Sequence, residues 1–183
     1  MLETSFKTAY YAELSSFGSG TPELNLEAPG SNARRIEVTV SPDKGEIWTG
    51  SFSSPDPGWK SLSALLSTPS PECLLIVERG TAFFGNVLDP SSFYFLDLRD
   101  TIVDSKAYID KSILLLIGHF TVSLIGTRGP QWVSEDLSME GEVRIDEIKQ
   151  QLIVGTADFG GPEPRRFFLD INTGESLNLD EMT

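Results

Sequence analysis

The sequence predicts an all-β fold: antiparallel meanders in a blade-like or sandwich arrangement, with at most one short helix. Three observations predict it. Short apolar or alternating segments recur along the chain, turn residues separate them, and spacing that favours helix over strand occurs in one place only. With 183 residues, the chain is read as one domain, 1–183, since domains commonly run to roughly 100–200 residues. That length lets a core form without disulfide or metal staples.

The elements follow in order. Residues 6–14 hold Phe6, Tyr10 and Leu14 at a spacing that suits helix or strand. Thr8, Tyr10 and Tyr11 favour strand. Residues 17–20 and 22–31 read as loops. In 36–40, Ile36, Val38 and Val40 face one side while Glu37 and Thr39 face the other. Pro42, Asp43 and Gly45 then supply turn chemistry, and 46–49 returns as a second strand. Trp59, Leu62, Leu65 and Leu66 have helical spacing, and Pro69 and Pro71 close that segment, so the single short helix belongs there. Further hairpins are expected at 73–77 with 81–87, at 113–117 with 120–125, and at 143–148 with 151–155. A strand at 165–171 ends in the turn residues Asn172, Thr173 and Gly174. The total is twelve to fourteen strands.

A repeat is visible within this pattern. Residues 72–90 slid onto 112–130 bring together Leu74 with Leu114, Leu75 with Leu115, Thr81 with Thr121 and Pro90 with Pro130. The strand at 152–155 lies about 39 residues further on and that at 36–40 about 37 residues earlier, and a period near 40 suits a four-stranded blade. The segment from Phe168 through Asp170 and Asn172 to Thr173, Gly174 and Glu175 resembles the strand–turn signature of quinoprotein-type β-propeller repeats. The stretch from Leu124 through Gly126 and Gly129 to Trp132 looks like the next part of such a blade. The resemblance spans about 60 residues and implies blade-like meanders, with no cofactor and no activity attached.

Composition narrows the function. There are 14 Lys+Arg against 27 Asp+Glu, for a net charge of −13. The only basic doublets, Arg34 with Arg35 and Arg165 with Arg166, sit on expected strands, so a nucleic-acid partner is not expected. The same charge is repelled by anionic membranes, and no apolar run reaches the ~20 residues of a spanning helix. The amino terminus lacks a basic segment followed by an apolar one, so cytoplasmic localisation is expected. Cys73 is the lone cysteine and reads as an inert buried thiol.

Few residues could carry chemistry. His119 is the only histidine, which disfavours triads and His-rich metal sites, and it falls at an expected turn. Gly18 and Gly20 are not followed by a nucleotide fingerprint. Asp170, Asn172 and Gly174, with Glu181 beyond, imitate part of a calcium loop. Glu175 stands where that loop needs glycine, so a simple Asx turn is expected and no metal. Asp97, Asp100 and Asp104, or Glu135 with Asp136, are carboxylate groups of the kind used in acid–base work on sugars. Trp48, Trp59 and Trp132 could anchor a partner. Trp48 and Trp132 read mainly as core, and Trp59, after Pro55 and Pro57, is the best exposed anchor.

The candidate ligand- or partner-binding residues are therefore Trp59, Trp132, His119, Asp97 and Asp100. The sequence points to a non-catalytic interaction protein with an acidic β-surface, one form being an immunity-like inhibitor covering a basic toxin. Its partner would be another protein or a second copy in a homodimer. The alternative is a carbohydrate-binding module or weak glycosidase. No cofactor is expected.

Overall fold

Alternation of side chains along short strands forces each sheet to bury one face, and here the faces are buried against one another in sequence order. The computed structural model describes residues 2–15, 21–32 and 34–177. The expected loop at 17–20, with Gly18 and Gly20, and the distal Glu181 lie outside them. About 51% of the chain is strand and 4% helix, with no helix of seven or more residues, so the fold is all-β. No helix among the described residues is long and apolar enough to cross a membrane.

Four sheets follow one another. The first contains β2 (Tyr10–Leu14), β4 (Arg35–Pro42), β5 (Trp48–Ser53) and β3 (Leu24–Glu27), adjacent in that order, with β3 parallel to β5. The second is the meander β6 (Ala64–Ser67), β7 (Cys73–Glu78), β8 (Thr81–Asn86) and β9 (Tyr94–Leu96). To it β1 (Leu2–Glu3) adds in parallel beside β6. The third is β10 (Ile102–Tyr108), β11 (Ile113–Gly118), β12 (Val122–Gly126) and β13 (Gly129–Val133). The fourth is β14 (Arg144–Lys149), β15 (Leu152–Ala157) and β16 (Arg165–Asp170). Strands β7, β11 and β15 hold the same second place in their meanders and begin at residues 73, 113 and 152, the spacing seen in the sequence.

Three apolar cores fill the gaps between successive sheets. Tyr10, Val38, Val40, Trp48 and Phe52 meet Leu74, Ile76 and Phe83 between the first and second. Leu75, Val77 and Phe84 meet Leu114, Leu116 and Ile125 between the second and third. Leu115, Ile117 and Leu124 meet Ile145, Ile153, Phe167 and Leu169 between the third and fourth. The second and third sheets are thus buried on both faces, which is why 113–117 reads as an unbroken apolar run. Among the described residues the four sheets do not close into a ring.

Buried polar groups tie neighbouring sheets together. The Trp48 indole N–H donates to the Val87 carbonyl at 2.9 Å, and the Trp132 indole to the Ile171 carbonyl at 3.0 Å. Each donor belongs to one sheet, and each acceptor lies just past the end of a strand of the next. The Tyr10 hydroxyl likewise donates across sheets, to the Cys73 carbonyl at 2.9 Å. Trp132 also lies flat over Gly174: a Cβ there would sit 2.5 Å from the indole ring, and φ is +73°. Both conditions call for glycine at that turn.

Two sequence expectations are overturned. The helix through Trp59, Leu62, Leu65 and Leu66 is absent, because Leu65 and Leu66 are consecutive strand residues that enter opposite cores. A helix would have placed them on one side. Within the expected loop 22–31, Leu24–Glu27 forms β3, whose Leu24 and Leu26 pack on the first core. In addition, Cys73 is half-buried rather than fully enclosed.

Candidate functional site

One end of the stack carries the connections between sheets and the β7–β8, β11–β12 and β15–β16 turns. These segments are bonded to one another rather than free. The Leu62 N–H donates to the Ile102 carbonyl, Ile102 N–H to the Gly80 carbonyl, and Gly80 N–H to the Leu62 carbonyl. Further along, Leu137 N–H donates to Phe120 and Met139 N–H to Asp158. Arg79 clamps the near side. Its side chain donates to the Ser54 hydroxyl and carbonyl and to Asn32, and pairs with Glu78 at 3.3 Å.

Asp100 sits at the centre of this platform. Its Oδ2 accepts from the N–H groups of Phe120 and Thr121 at 2.7 and 2.9 Å and from the Thr121 hydroxyl at 3.2 Å. Its Oδ1 accepts from the Thr101 N–H at 2.7 Å. The carboxylate therefore staples the β9–β10 connection to the β11–β12 turn. Gly118 makes the approach possible, since a Cβ there would lie 2.1 Å from Asp100 Oδ2.

That staple presents His119 at the turn apex. Its ring lies 4.7 Å from the Trp59 ring, centroid to centroid, at 40°. Its Nε2 is 3.1 Å from the Lys60 carbonyl oxygen, so a protonated Nε2 donates there. Trp59 is 59% exposed, so its outer indole face is open to solvent while its inner face rests on the imidazole. Among the described residues no hydroxyl or thiol is hydrogen-bonded to the ring, and no three His, Cys, Asp or Glu side chains gather as metal ligands. The arrangement positions an aromatic surface.

Beside it, a cleft of about 370 Å³ opens between the first two sheets. Asp97 and Arg99 line it with Pro29, Pro55 and Phe95. Asp97 is exposed, with only a long 3.4 Å bond from the Arg99 N–H, and Arg99 has φ +57°. That left-handed conformation is uncommon outside Gly and Asn and marks a tightly bent loop.

Of the five residues singled out from sequence, Trp59, His119 and Asp100 are brought together and Asp97 lines the adjoining cleft. Trp132 does not join them: it packs between the third and fourth sheets over Gly174. Asp104 is exposed on β10 and accepts only from the neighbouring Ser105 N–H, and Glu135 and Asp136 are exposed on the connection after β13. The Asp170 turn is an Asx turn, with Oδ1 accepting from Asn172 and Thr173 N–H. Sequence reasoning missed Arg99 and Phe95. The run Asp97, Leu98, Arg99, Asp100 carried a turn signal for Arg99, since an Asp side chain bonds to backbone two residues on, as Asp97 does to the Arg99 N–H.

No known protein family and no curated protein matches the chain.

Proposed function

We propose that this is a non-catalytic binding protein whose loop-bearing end grips a basic protein surface, as an immunity-type inhibitor covers a toxin. One observation carries the reading: Trp59 is open on one face and braced on the other by His119. A large, pre-positioned aromatic is the residue type that dominates binding energy at interfaces. Support comes from exposed carboxylates on the connections between sheets, Asp56, Asp97, Glu135, Asp136 and Glu140, which would steer a cationic partner and make association salt-sensitive. A cytoplasmic location is part of the proposal, and a lone, half-buried Cys73 suits a reducing compartment. Kinship with quinoprotein-type blades is part of the proposal, supported by the regular start of β7, β11 and β15 and by Trp132 resting on Gly174.

The test is capture of a partner from lysate at low salt, release along a salt gradient, and repetition with Trp59→Ala. Loss of one anchor aromatic should weaken binding about 10- to 100-fold while leaving the unfolding midpoint unchanged. Equal capture by the variant defeats the reading. An exposed indole beside a carboxylate-bearing cleft also suits a sugar ring. Glycan binding that is lost in Trp59→Ala and indifferent to salt would move the assignment to a carbohydrate module.

A further inference from the structure

Among the described residues, the fourth sheet has a face that none of the three cores uses. Along β15 and β16, Ile153, Ala157, Phe167 and Leu169 point into the third core. Alternation sends their neighbours the other way. Cross-strand partners on that outer face are Glu147, Val154 and Phe168 in the middle row, Arg144, Thr156 and Arg166 at one end, and Lys149, Leu152 and Asp170 at the other. Val154 is only 5% exposed although it belongs to no core cluster, and Phe168 and Leu152 are half-buried. The corresponding face of the first sheet is mainly polar: Glu13, Thr39 and Thr49 form one row, Glu37 and Ser51 the next, with Tyr11 and Ser41 beyond them. A hydroxyl-and-carboxylate face ends a stack the way a capping repeat does, whereas a valine–phenylalanine row asks for another layer.

We propose that the outer face of the fourth sheet binds the same face of a second copy, giving a two-fold dimer separate from the Trp59 end. The pattern along β16 supports this occupant. Arg166, Phe168 and Asp170 stand on one side of the strand, with about 7 Å between successive members. A two-fold axis lying in the interface, perpendicular to β16 and passing by Phe168, reverses the order in the facing strand. Arg166 of each copy then meets Asp170 of the other, and the two Phe168 rings meet at the axis. A surface that complements itself on rotation is what an isologous interface requires. On β14 the same axis brings Arg144 toward the facing Lys149 and Glu147 toward its own copy, so the two glutamates sit among the four cations, and Arg144 is also paired with Glu142 at 3.0 Å. Three strands of six residues give a face about 14 by 20 Å, roughly 280 Å² a side against the ~800 Å² of a standard interface, so the dimer is a weak one that should form only toward high micromolar concentration.

Sedimentation velocity on the full chain, over about 1 to 300 μM, reads the equilibrium. The wild type should pass from monomer to dimer. Arg166→Glu alone and Asp170→Lys alone should each weaken the dimer at least about 10-fold, through like charges facing twice. An equimolar mixture of the two should regain association as a heterodimer, because both charge pairs are then restored. If Asp170→Lys loses its turn by circular dichroism, Phe168→Ser replaces it, and loss of the dimer at an unchanged unfolding midpoint supports the interface. A wild type that stays monomeric throughout, or a dimer indifferent to Arg166→Glu and Phe168→Ser, overturns it. Neither result bears on the Trp59 end, whose test uses a different surface.

Discussion

The first and fourth sheets are built from similar strands, yet they spend their two faces differently. The first puts Tyr10, Trp48 and Phe52 into a core and carries serines, threonines and glutamates, with Tyr11, on its other face. The fourth puts Phe167 and Leu169 into a core and still carries Val154 and Phe168 on its other side. The difference teaches that alternation alone does not decide whether a sheet face is solvated. What decides it is the residue type placed on the second set of positions, and that type changes from one end of the stack to the other.

The sharpest way to test this contrast is to remove a ring from each kind of face. Phe52 is fully buried, and Phe52→Ala should cost about 3–5 kcal/mol in urea unfolding, the range for emptying a packed site. Phe168→Ala, on the outer face, should cost the dilute monomer no more than about 1 kcal/mol. Equal losses would mean that the outer face of the fourth sheet is a fourth core.

A smaller effect is expected at Tyr10, which joins the first sheet to the second. Tyr10→Phe removes the hydrogen bond to the Cys73 carbonyl and should cost about 1 kcal/mol at neutral pH. Burial, with the Cys73 charge as a lesser cause, pushes the Tyr10 hydroxyl well above its ordinary value of 10.0. In the unfolded chain Tyr10 ionises near that ordinary value, while the folded protein keeps it protonated. Its contribution is therefore complete below about pH 10 and is lost as pH rises toward the folded value. Unfolding free energy measured from pH 8 to 11 should fall less steeply above about pH 10 in Tyr10→Phe than in the wild type.

The smallest change concerns Glu37, on the polar face of the first sheet. It is 6% exposed, and its Oε2 has no hydrogen-bond partner among the described residues. Glu37→Thr should raise stability by about 1 kcal/mol, because an unsatisfied buried acceptor is exchanged for a strand-favouring hydroxyl. A loss of stability in thermal unfolding would show that the carboxylate is satisfied in solution.

Much of this architecture could be read in advance. The hairpins at 36–49, 73–87, 113–125 and 143–155 stand where alternation and turn residues put them. The second strand of each later meander keeps its spacing because each sheet must present the same faces to its neighbours. Strand β3 was hidden because its four residues lie between Pro22 and Gly30, with only Leu24 and Leu26 to mark a face. Strand β6 was disguised because spacings of three and four also occur when adjacent leucines serve two cores. At the site, the residue types of Trp59, His119 and Asp100 were legible but their meeting was not. They come from three connections up to sixty residues apart, and only the stacking of sheets brings those together. Trp132 shows the reverse: a strand tryptophan is expected mainly in the core, and it packs there against a glycine at the edge of the next sheet.

The placement of β1 governs how this chain can assemble during synthesis. Leu2 and Glu3 lie beside Leu65 and Leu66, strands made about sixty residues later. At roughly 5–20 residues per second, the first strand waits about 3–12 s on the ribosome before its neighbour exists. Over that interval the leading segment has no sheet to join, and its docking comes only after β6 has left the exit tunnel. Slowed translation between the two would prolong the window in which a chaperone or protease can seize the unpaired strand.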